Sequence, residues 1–193
     1  MVYFLGVDQM SAERKAANLW LNVGLAILVV LGFTVEARSQ ALPQMKLSDD
    51  LDRPGEGYCI DVVGVGSSAR TDLPLVVHNC LPDLAREDRH AVYDAGRIVF
   101  PAFDMCVTAF GVVSPLAGAA VILRPCGAEE RFLPAGRLQQ FERTQRGQLQ
   151  LARTDLCLSA GLDAARTFGA SDRWRTLTMQ PCDTTPDALS VWD

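Results

Sequence analysis

Six cysteines are the side chains in this sequence with the clearest chemistry. They are Cys59, Cys80, Cys106, Cys126, Cys157 and Cys182 of a 193-residue chain. An even number of cysteines in an oxidising compartment is typical of disulfide bonding, and six of them predict three bonds. Six cysteines can pair in many ways, so their number alone leaves the connectivity open.

Other residues that commonly carry catalysis are sparse. The chain has two histidines, His78 and His90, and neither a Gly-x-Ser-x-Gly nor a His-Glu-x-x-His motif. If every cysteine is bonded, no thiolate nucleophile remains. Residues 64–68 are glycine-rich but lead into Thr-Asp-Leu-Pro at 71–74, so we predict a loop there and not a phosphate-binding turn. We expect no catalytic residues, no metal site and no cofactor.

A hydrophobic segment precedes all six cysteines. Residues 19–35 carry no charge, Arg14 and Lys15 stand before them, and Ser39 and Ala41 fit the small-residue positions of a signal-peptidase site. We predict a signal peptide over 1–41 and a mature domain over 42–193. The alternative is an uncleaved membrane-anchor helix at 19–35, which is near the shortest length that can span a bilayer. Either arrangement exports the rest of the chain.

The charge of the chain disfavours two classes of partner. There are 18 Lys and Arg against 23 Asp and Glu, a net charge of −5 that removal of residues 1–41 leaves unchanged. Binding of nucleic acid or anionic lipid requires concentrated Lys and Arg, and this sequence has no such cluster. We expect no nucleic-acid partner, and membrane attachment only if the N-terminal segment stays uncleaved.

The cysteines mark an internal repeat. Cys59, Cys106 and Cys157 each open a segment in which apolar and polar residues alternate, as they do in a half-buried strand. The other three cysteines each close a strand with apolar residues five and three positions earlier. The opening cysteines are 47 and 51 residues apart. Recurrence at a nearly constant period indicates a repeat architecture.

Hairpins connect the repeats. Residues 91–100 and 139–151 each contain two short strands around a glycine-bearing turn. Together with a first strand around 45–51, this gives about four short strands per repeat. No helical periodicity is evident after residue 41, so the mature chain is predicted to be all-β.

Several segments match the repeat of a known family: Cys-Ile-Asp-Val at 59–62, Arg-Pro-Cys at 124–126, Gln-Pro-Cys at 180–182, Gln-Gln-Phe at 139–141, and Trp192. Over about residues 46–193 the chain resembles the ricin B-chain-like lectin family, whose fold is a β-trefoil. The resemblance implies three repeats, approximately 46–93, 94–141 and 142–193. It also implies one disulfide within each repeat, namely Cys59–Cys80, Cys106–Cys126 and Cys157–Cys182. Because Tyr93, Phe141 and Trp192 stand at equivalent positions, we expect them to fill the core.

The resemblance further implies where a sugar would bind. The family's site uses an Asp two residues after the opening cysteine and an aromatic ring two residues before the closing cysteine. It also uses an Asn or Gln near the Gln-x-Trp element of the repeat. In the first repeat these positions hold Asp61, His78 and His90. The other two repeats have neither a carboxylate nor a ring there, and hold Thr108, Arg124 and Leu138, and Ser159, Gln180 and Leu189. At most one carbohydrate site is therefore expected.

Each candidate side chain also has a purely structural interpretation. Asp61 could accept backbone N–H bonds at a strand end, and His78 and His90 could be exposed residues without a ligand. Trp174 has no counterpart in the other repeats. It could anchor a partner, or it could cover the longer loop of the third repeat.

The sequence thus predicts an exported, non-catalytic carbohydrate-binding domain that is periplasmic or extracellular, or held by its N-terminal segment. Its partner would be a glycan. The alternative is a trefoil of the cell envelope that has lost sugar binding and contacts an envelope or extracellular protein, with protease inhibition as a third possibility. Fold alone does not decide between these functions.

Overall fold

The computed structural model describes residues 44–81 and 90–193. These residues belong to one compact unit, Ala41–Asp193. The predicted signal peptide over 1–41, with its hydrophobic segment at 19–35, lies outside the described residues. Within residues 44–81 and 90–193, no helix is both long and apolar enough to cross a membrane.

The described chain is built from short strands, which confirms the predicted all-β class. Its strands are β1 (Tyr58–Asp61), β2 (Val76–Asn79), β3 (Val92–Asp94), β4 (Arg97–Phe100), β5 (Met105–Ala109), β6 (Val121–Pro125), β7 (Phe141–Arg143), β8 (Leu149–Leu151), β9 (Leu156–Ala160), β10 (Ala165–Arg166) and β11 (Arg173–Pro181). Helical structure in this part of the chain consists of single turns at Gly66–Ser68, Pro101–Phe103, Ala135–Leu138 and Asp187–Ser190. The strand expected around 45–51 is reduced to isolated bridges, Lys46 with Cys59 and Leu47 with Trp192.

Three disulfides close the repeats as the resemblance implied. Cys59 bonds Cys80, Cys106 bonds Cys126, and Cys157 bonds Cys182. Each bond joins the two strands of an antiparallel pair, which are β1 with β2, β5 with β6, and β9 with β11. Three disulfides are consistent with an exported protein in an oxidising compartment.

The strand pairs combine into two sheets. One has the order β1-β2-β11-β9-β8-β7, with β10 paired to β11, and the other has the order β3-β4-β5-β6. Backbone hydrogen bonds also join the disulfide-closed pairs to each other. Leu75 N–H donates to Val121 C=O at 2.8 Å, and Met179 N–H donates to Ala119 C=O at 2.8 Å. All three closed pairs therefore converge on one core.

The two ends of the described chain are joined. Ser48 N–H donates to Val191 C=O at 3.0 Å, and Asp193 N–H donates to Lys46 C=O at 2.9 Å. The residues just before the first repeat thus complete the β structure that the last repeat begins. This closure satisfies backbone groups that would otherwise form an open edge.

Large aromatic side chains fill the core, largely as predicted. Phe141 and Trp192 are 1% exposed, and the indole N–H of Trp192 donates to Leu158 C=O at 3.0 Å. Tyr93 is only partly buried, and its hydroxyl donates to Phe141 C=O at 2.9 Å. Tyr58 and Phe100 are fully buried as well, although their positions in the repeat did not single them out.

Replacing both Cys157 and Cys182 with serine should lower the free energy of unfolding by about 3 kcal/mol. The bond joins residues that are 25 positions apart, and closing a loop of that length restricts the unfolded chain. Denaturant unfolding of the non-reduced proteins measures the difference. Intact mass with and without reductant should confirm that the other two bonds of the variant remain. Equal stability of the variant and the wild type would contradict the structural role of this bond.

Candidate functional site

A cavity of about 600 Å³ lies where the first repeat meets the third. It is formed by β1 and β2, by residues 62–65 and 73–74 of the segment that connects them, and by the β10–β11 hairpin. The lining residues are mostly apolar: Asp61, Val62, Val63, Gly64, Val65, Leu73, Pro74, Val76, His78, Thr167, Phe168, Asp172 and Trp174.

The floor of the cavity is the outer face of the β1–β2 pair. Cys59 stands opposite His78, and Asp61 stands opposite Val76. Side chains alternate along a strand, so Asp61, Val76 and His78 share one face. The intervening residues point into the core, where Ile60 and Val77 have no exposed surface. Asp61 and His78, two of the three predicted sugar-site residues, therefore line the same cavity.

Strand β11 extends this floor with an aromatic ring. Its first residues pass beyond β9 and pair with β2, so that Trp174 stands opposite His78 and Thr176 opposite Val76. Trp174 is half-buried and lines the cavity. The third repeat can supply this extension because its cysteines are 25 residues apart, against 21 and 20 in the other repeats.

Asn79 fastens β11 to the first repeat. Its side-chain oxygen Oδ1 accepts a hydrogen bond from the backbone N–H of Arg173 at 2.9 Å. Its side-chain nitrogen Nδ2 donates to the Glu56 carboxylate at 2.9 Å. Glu56 is in turn held by Arg53 at 2.5 Å. The Asn79 side chain is buried, at 2% exposure, so a residue without these hydrogen bonds would leave buried polar groups unpaired.

Arg175 also attaches β11 to the first repeat, through a side chain on the face of the strand opposite to Trp174. Its side chain is 7% exposed, and its guanidinium contacts Asp52 at 2.5 Å and lies over the Tyr58 ring at 4.8 Å. The Tyr58 hydroxyl also donates to Asp52, at 2.9 Å. Partial burial opposes ionisation of Asp52, but the hydrogen bonds from Arg175 and Tyr58 outweigh that effect and lower the pKa of Asp52.

The loop after β1 forms one wall of the cavity. Val63 and Val65 are partly exposed there, at 37% and 38%. Gly64 has a φ of +92°, and a Cβ at this position would lie 2.2 Å from the carbonyl oxygen of Ser68. Only glycine fits this turn. The loop predicted over residues 64–68 thus contains the single helical turn Gly66–Ser68, and Gly64 is required to turn the chain before it.

The opposite wall is the turn between β10 and β11. Thr167 N–H donates to Asp172 C=O at 3.3 Å, and Asp172 N–H donates to Gly169 C=O at 3.2 Å. These bonds define a tight turn that carries Phe168, whose side chain is fully exposed at the rim of the cavity. Sequence reasoning did not select Phe168, because it lies in a segment without a counterpart in the other repeats.

Asp61 and His78 have backbone partners as well as places in the cavity. Asp61 is 4% exposed, and one of its carboxylate oxygens accepts the backbone N–H of Val62 at 2.8 Å. The structural interpretation of Asp61 as a strand-end carboxylate is therefore confirmed, and it is compatible with a ligand role. Nδ1 of His78 lies 3.0 Å from Asn79 C=O.

His90 is the third residue of the predicted sugar site. It is half-buried, follows residues 82–89, which lie outside the described residues, and is absent from the described lining of the cavity. Its role in a sugar site stays a prediction. Among the residues that the structure describes, no group of three or more His, Cys, Asp or Glu side chains could hold a metal ion.

Equivalent positions in the other repeats are occupied by internal hydrogen bonds. In the second repeat, Thr108 is 1% exposed and accepts a hydrogen bond from the Gln139 amide at 3.0 Å. Gln139 also donates to Pro125 C=O at 3.1 Å. In the third repeat, Ser159 is 1% exposed and donates to Ala160 C=O at 3.1 Å. Thr108 and Ser159 thus contribute to folding at the position where Asp61 reaches the cavity.

Comparison with known proteins gives a likeness of fold only. No family model matches the chain, and no curated protein matches it. A solved structure described as "Solution structure of mdaA-1 domain" is similar, with a TM-score of 0.52 and 16% sequence identity over 81% of this chain and 92% of that one.

The pKa shift of Asp52 predicts a dependence of stability on pH. Because its pKa in the folded protein is lowered below the ordinary 3.8, the ion pair stabilises the fold above that pH and is lost as the pH falls through the folded-state value. The Asp52→Asn variant should therefore melt below the wild type at neutral pH, and the difference should shrink under acid conditions below about pH 3.8.

Thermal unfolding followed by circular dichroism from pH 7 to pH 2 measures this effect. Asp94→Asn, at an exposed carboxylate of β3, is the matched control and should show a much smaller difference in melting temperature at neutral pH. A melting-temperature difference for Asp52→Asn that is the same at every pH would contradict the proposed ion pair.

Proposed function

We propose that this protein is an exported, non-catalytic carbohydrate-binding domain with a ricin-type β-trefoil fold, and that its single sugar site is the cavity formed by Asp61, His78 and Trp174. The observation that carries the proposal is the pairing of β11 with β2, which sets Trp174 opposite His78 on the face that also holds Asp61.

Three features support the trefoil assignment. There are three strand pairs, each closed by its own disulfide. These pairs are connected to one another by backbone hydrogen bonds around a shared core. Between them lie the β3–β4 and β7–β8 hairpins, and the bridge between Leu47 and Trp192 takes the place of a third hairpin. This arrangement follows the threefold repeat of the sequence.

The side chains of the cavity suit a sugar ring. A carboxylate accepts hydrogen bonds from hydroxyl groups, and an aromatic ring offers an apolar face that fits the C–H face of a pyranose. Asp61 supplies the first group, and Trp174 with His78 supplies the second. Ligand sites of this general size combine a mostly apolar lining with a few polar groups that orient the ligand.

The export proposal rests on the N-terminal sequence and on the cysteines. All six cysteines follow residue 41 and are bonded, which fits the periplasm or the extracellular space. The predicted partner is a glycan in that compartment. Cleavage at Ala41 would release the domain, whereas retention of 19–35 would anchor it.

A glycan array followed by calorimetric titration tests the sugar site. The Asp61→Asn variant keeps an oxygen that can accept the Val62 N–H but loses the charge, so affinity for the best glycan should fall about tenfold or more. Trp174→Ala should weaken binding by a similar factor through loss of the aromatic surface. Asp94→Asn should bind like the wild type.

Two results would overturn this function. One is an array with no glycan bound by the wild type. The other is unchanged affinity in both Asp61→Asn and Trp174→Ala, with circular dichroism showing that both variants are folded.

One observation favours a second candidate function, the binding of an envelope or extracellular protein. The second repeat exposes a group of large apolar side chains on two loops, which are joined by the 3.2 Å hydrogen bond from Val113 N–H to Phe132 C=O. They are Phe110, Val112, Val113, Leu116 and Phe132, of which Leu116 is 80% exposed. Exposed apolar groups of this kind often mark protein interfaces. An empty glycan array, together with capture of one protein that Leu116→Asp abolishes, would favour this alternative.

A further inference from the structure

We infer that the ligand of the cavity is a glycoside with an apolar substituent, such as an alkyl or aryl group, and that the substituent lies against Val65, Leu73 and Phe168. This inference rests on the proposed function, because it assigns the sugar to the Asp61, His78 and Trp174 end of the same cavity. It adds the chemical class of the group to which the sugar is attached.

The lining of the cavity is unevenly polar. Asp61 and His78 lie on the floor formed by β1 and β2, Thr167 and Asp172 lie on the β10–β11 turn, and the other lining side chains are apolar. One wall is formed by Val63 and Val65 of the loop after β1. The polar side chains are thus confined to the floor and the β10–β11 turn, and the connection between β1 and β2 offers a ligand only apolar side chains.

An unsubstituted sugar would match only the polar part. Its hydroxyl groups point outward around the ring, and each one that leaves water without a new hydrogen-bond partner costs free energy. Placing hydroxyls against Val65, Leu73 and Phe168 would therefore oppose binding. An alkyl or aryl group at that place would instead gain from removal of its surface from water.

The size of the cavity leaves room for such a group. A volume of about 600 Å³ lies within the range of sites that enclose drug-sized ligands. The sugar and its substituent can therefore occupy the cavity together.

Phe168 points to the same conclusion. The β10–β11 turn presents a fully exposed phenyl ring at the rim, although the chain there is ordered by the backbone bonds of Thr167 and Asp172. Covering a phenylalanine side chain by apolar surface is strongly favourable. An apolar substituent leaving the sugar would be well placed to cover it.

Paired glycosides provide the test. Methyl and n-hexyl β-glycosides of glucose, galactose, mannose and N-acetylglucosamine, below their micellar concentrations, would be titrated into the mature protein by calorimetry. The hexyl compound should bind at least about tenfold more tightly than the methyl compound of the same sugar. In Phe168→Ala this hexyl-to-methyl ratio should fall severalfold. The matched control Leu162→Ala, at a 77% exposed leucine outside the lining, should keep the wild-type ratio.

The outcomes separate the two proposals. Equal affinity for methyl and hexyl glycosides, or an unchanged ratio in Phe168→Ala, would overturn the apolar substituent while the sugar site stands. Failure of every glycoside to bind would overturn the sugar site itself. Binding of 1-hexanol as tight as that of the hexyl glycosides would show that the cavity takes alkyl groups without a sugar, and would overturn both.

Discussion

The cavity depends on the pairing of β11 with β2, which joins the third repeat to the first. Without this pairing, Asp61 and His78 would lie on the outer face of β1 and β2, but Trp174 and the wall formed by the β10–β11 turn would be missing. Asn79 secures the pairing through the backbone of Arg173, and Arg175 secures it through Asp52 and Tyr58. Both attachments involve buried polar groups, for which the loss of a partner is costly. The position of Trp174 is therefore set by hydrogen bonding as well as by strand register.

The three repeats differ at the position where Asp61 lines the cavity. A polar residue follows the opening cysteine by two positions in every repeat, but only Asp61 has a carboxylate. Thr108 is occupied by the amide of Gln139, and Ser159 bonds a neighbouring carbonyl group. The third repeat instead contributes the longer β11, whose first residues complete the cavity of the first repeat. A sugar site in this arrangement belongs to two repeats together.

The cysteine spacing and the alternation around Cys59, Cys106 and Cys157 were enough to predict the all-β class, because they reflect local pairing. The disulfide connectivity was implied only by the family resemblance, since six cysteines can pair in many ways. The resemblance also implied that Asp61 and His78 belong to one site, and the strand register places them on one face of the β1–β2 pair. The role of Trp174 could not be predicted. Its neighbour His78 is about a hundred residues away in sequence, and the pairing with β2 leaves no local pattern. Phe168 was missed because its segment has no counterpart in the other repeats. The strand expected around 45–51 is present only as isolated bridges.

The pairing of β11 with β2 can be measured by nuclear Overhauser spectroscopy on the isotopically labelled mature protein. If β11 pairs with β2 as described, the backbone protons of Trp174 and His78 should show cross-strand contacts, and so should those of Thr176 and Val76. Their amide protons should also exchange slowly with solvent, as expected for an internal strand pair. The Ser159–Thr178 pairing of β9 and β11 is the internal control. If the control contacts are observed and the contacts between β11 and β2 are absent, the third repeat does not complete the cavity, and the pairing described here is wrong.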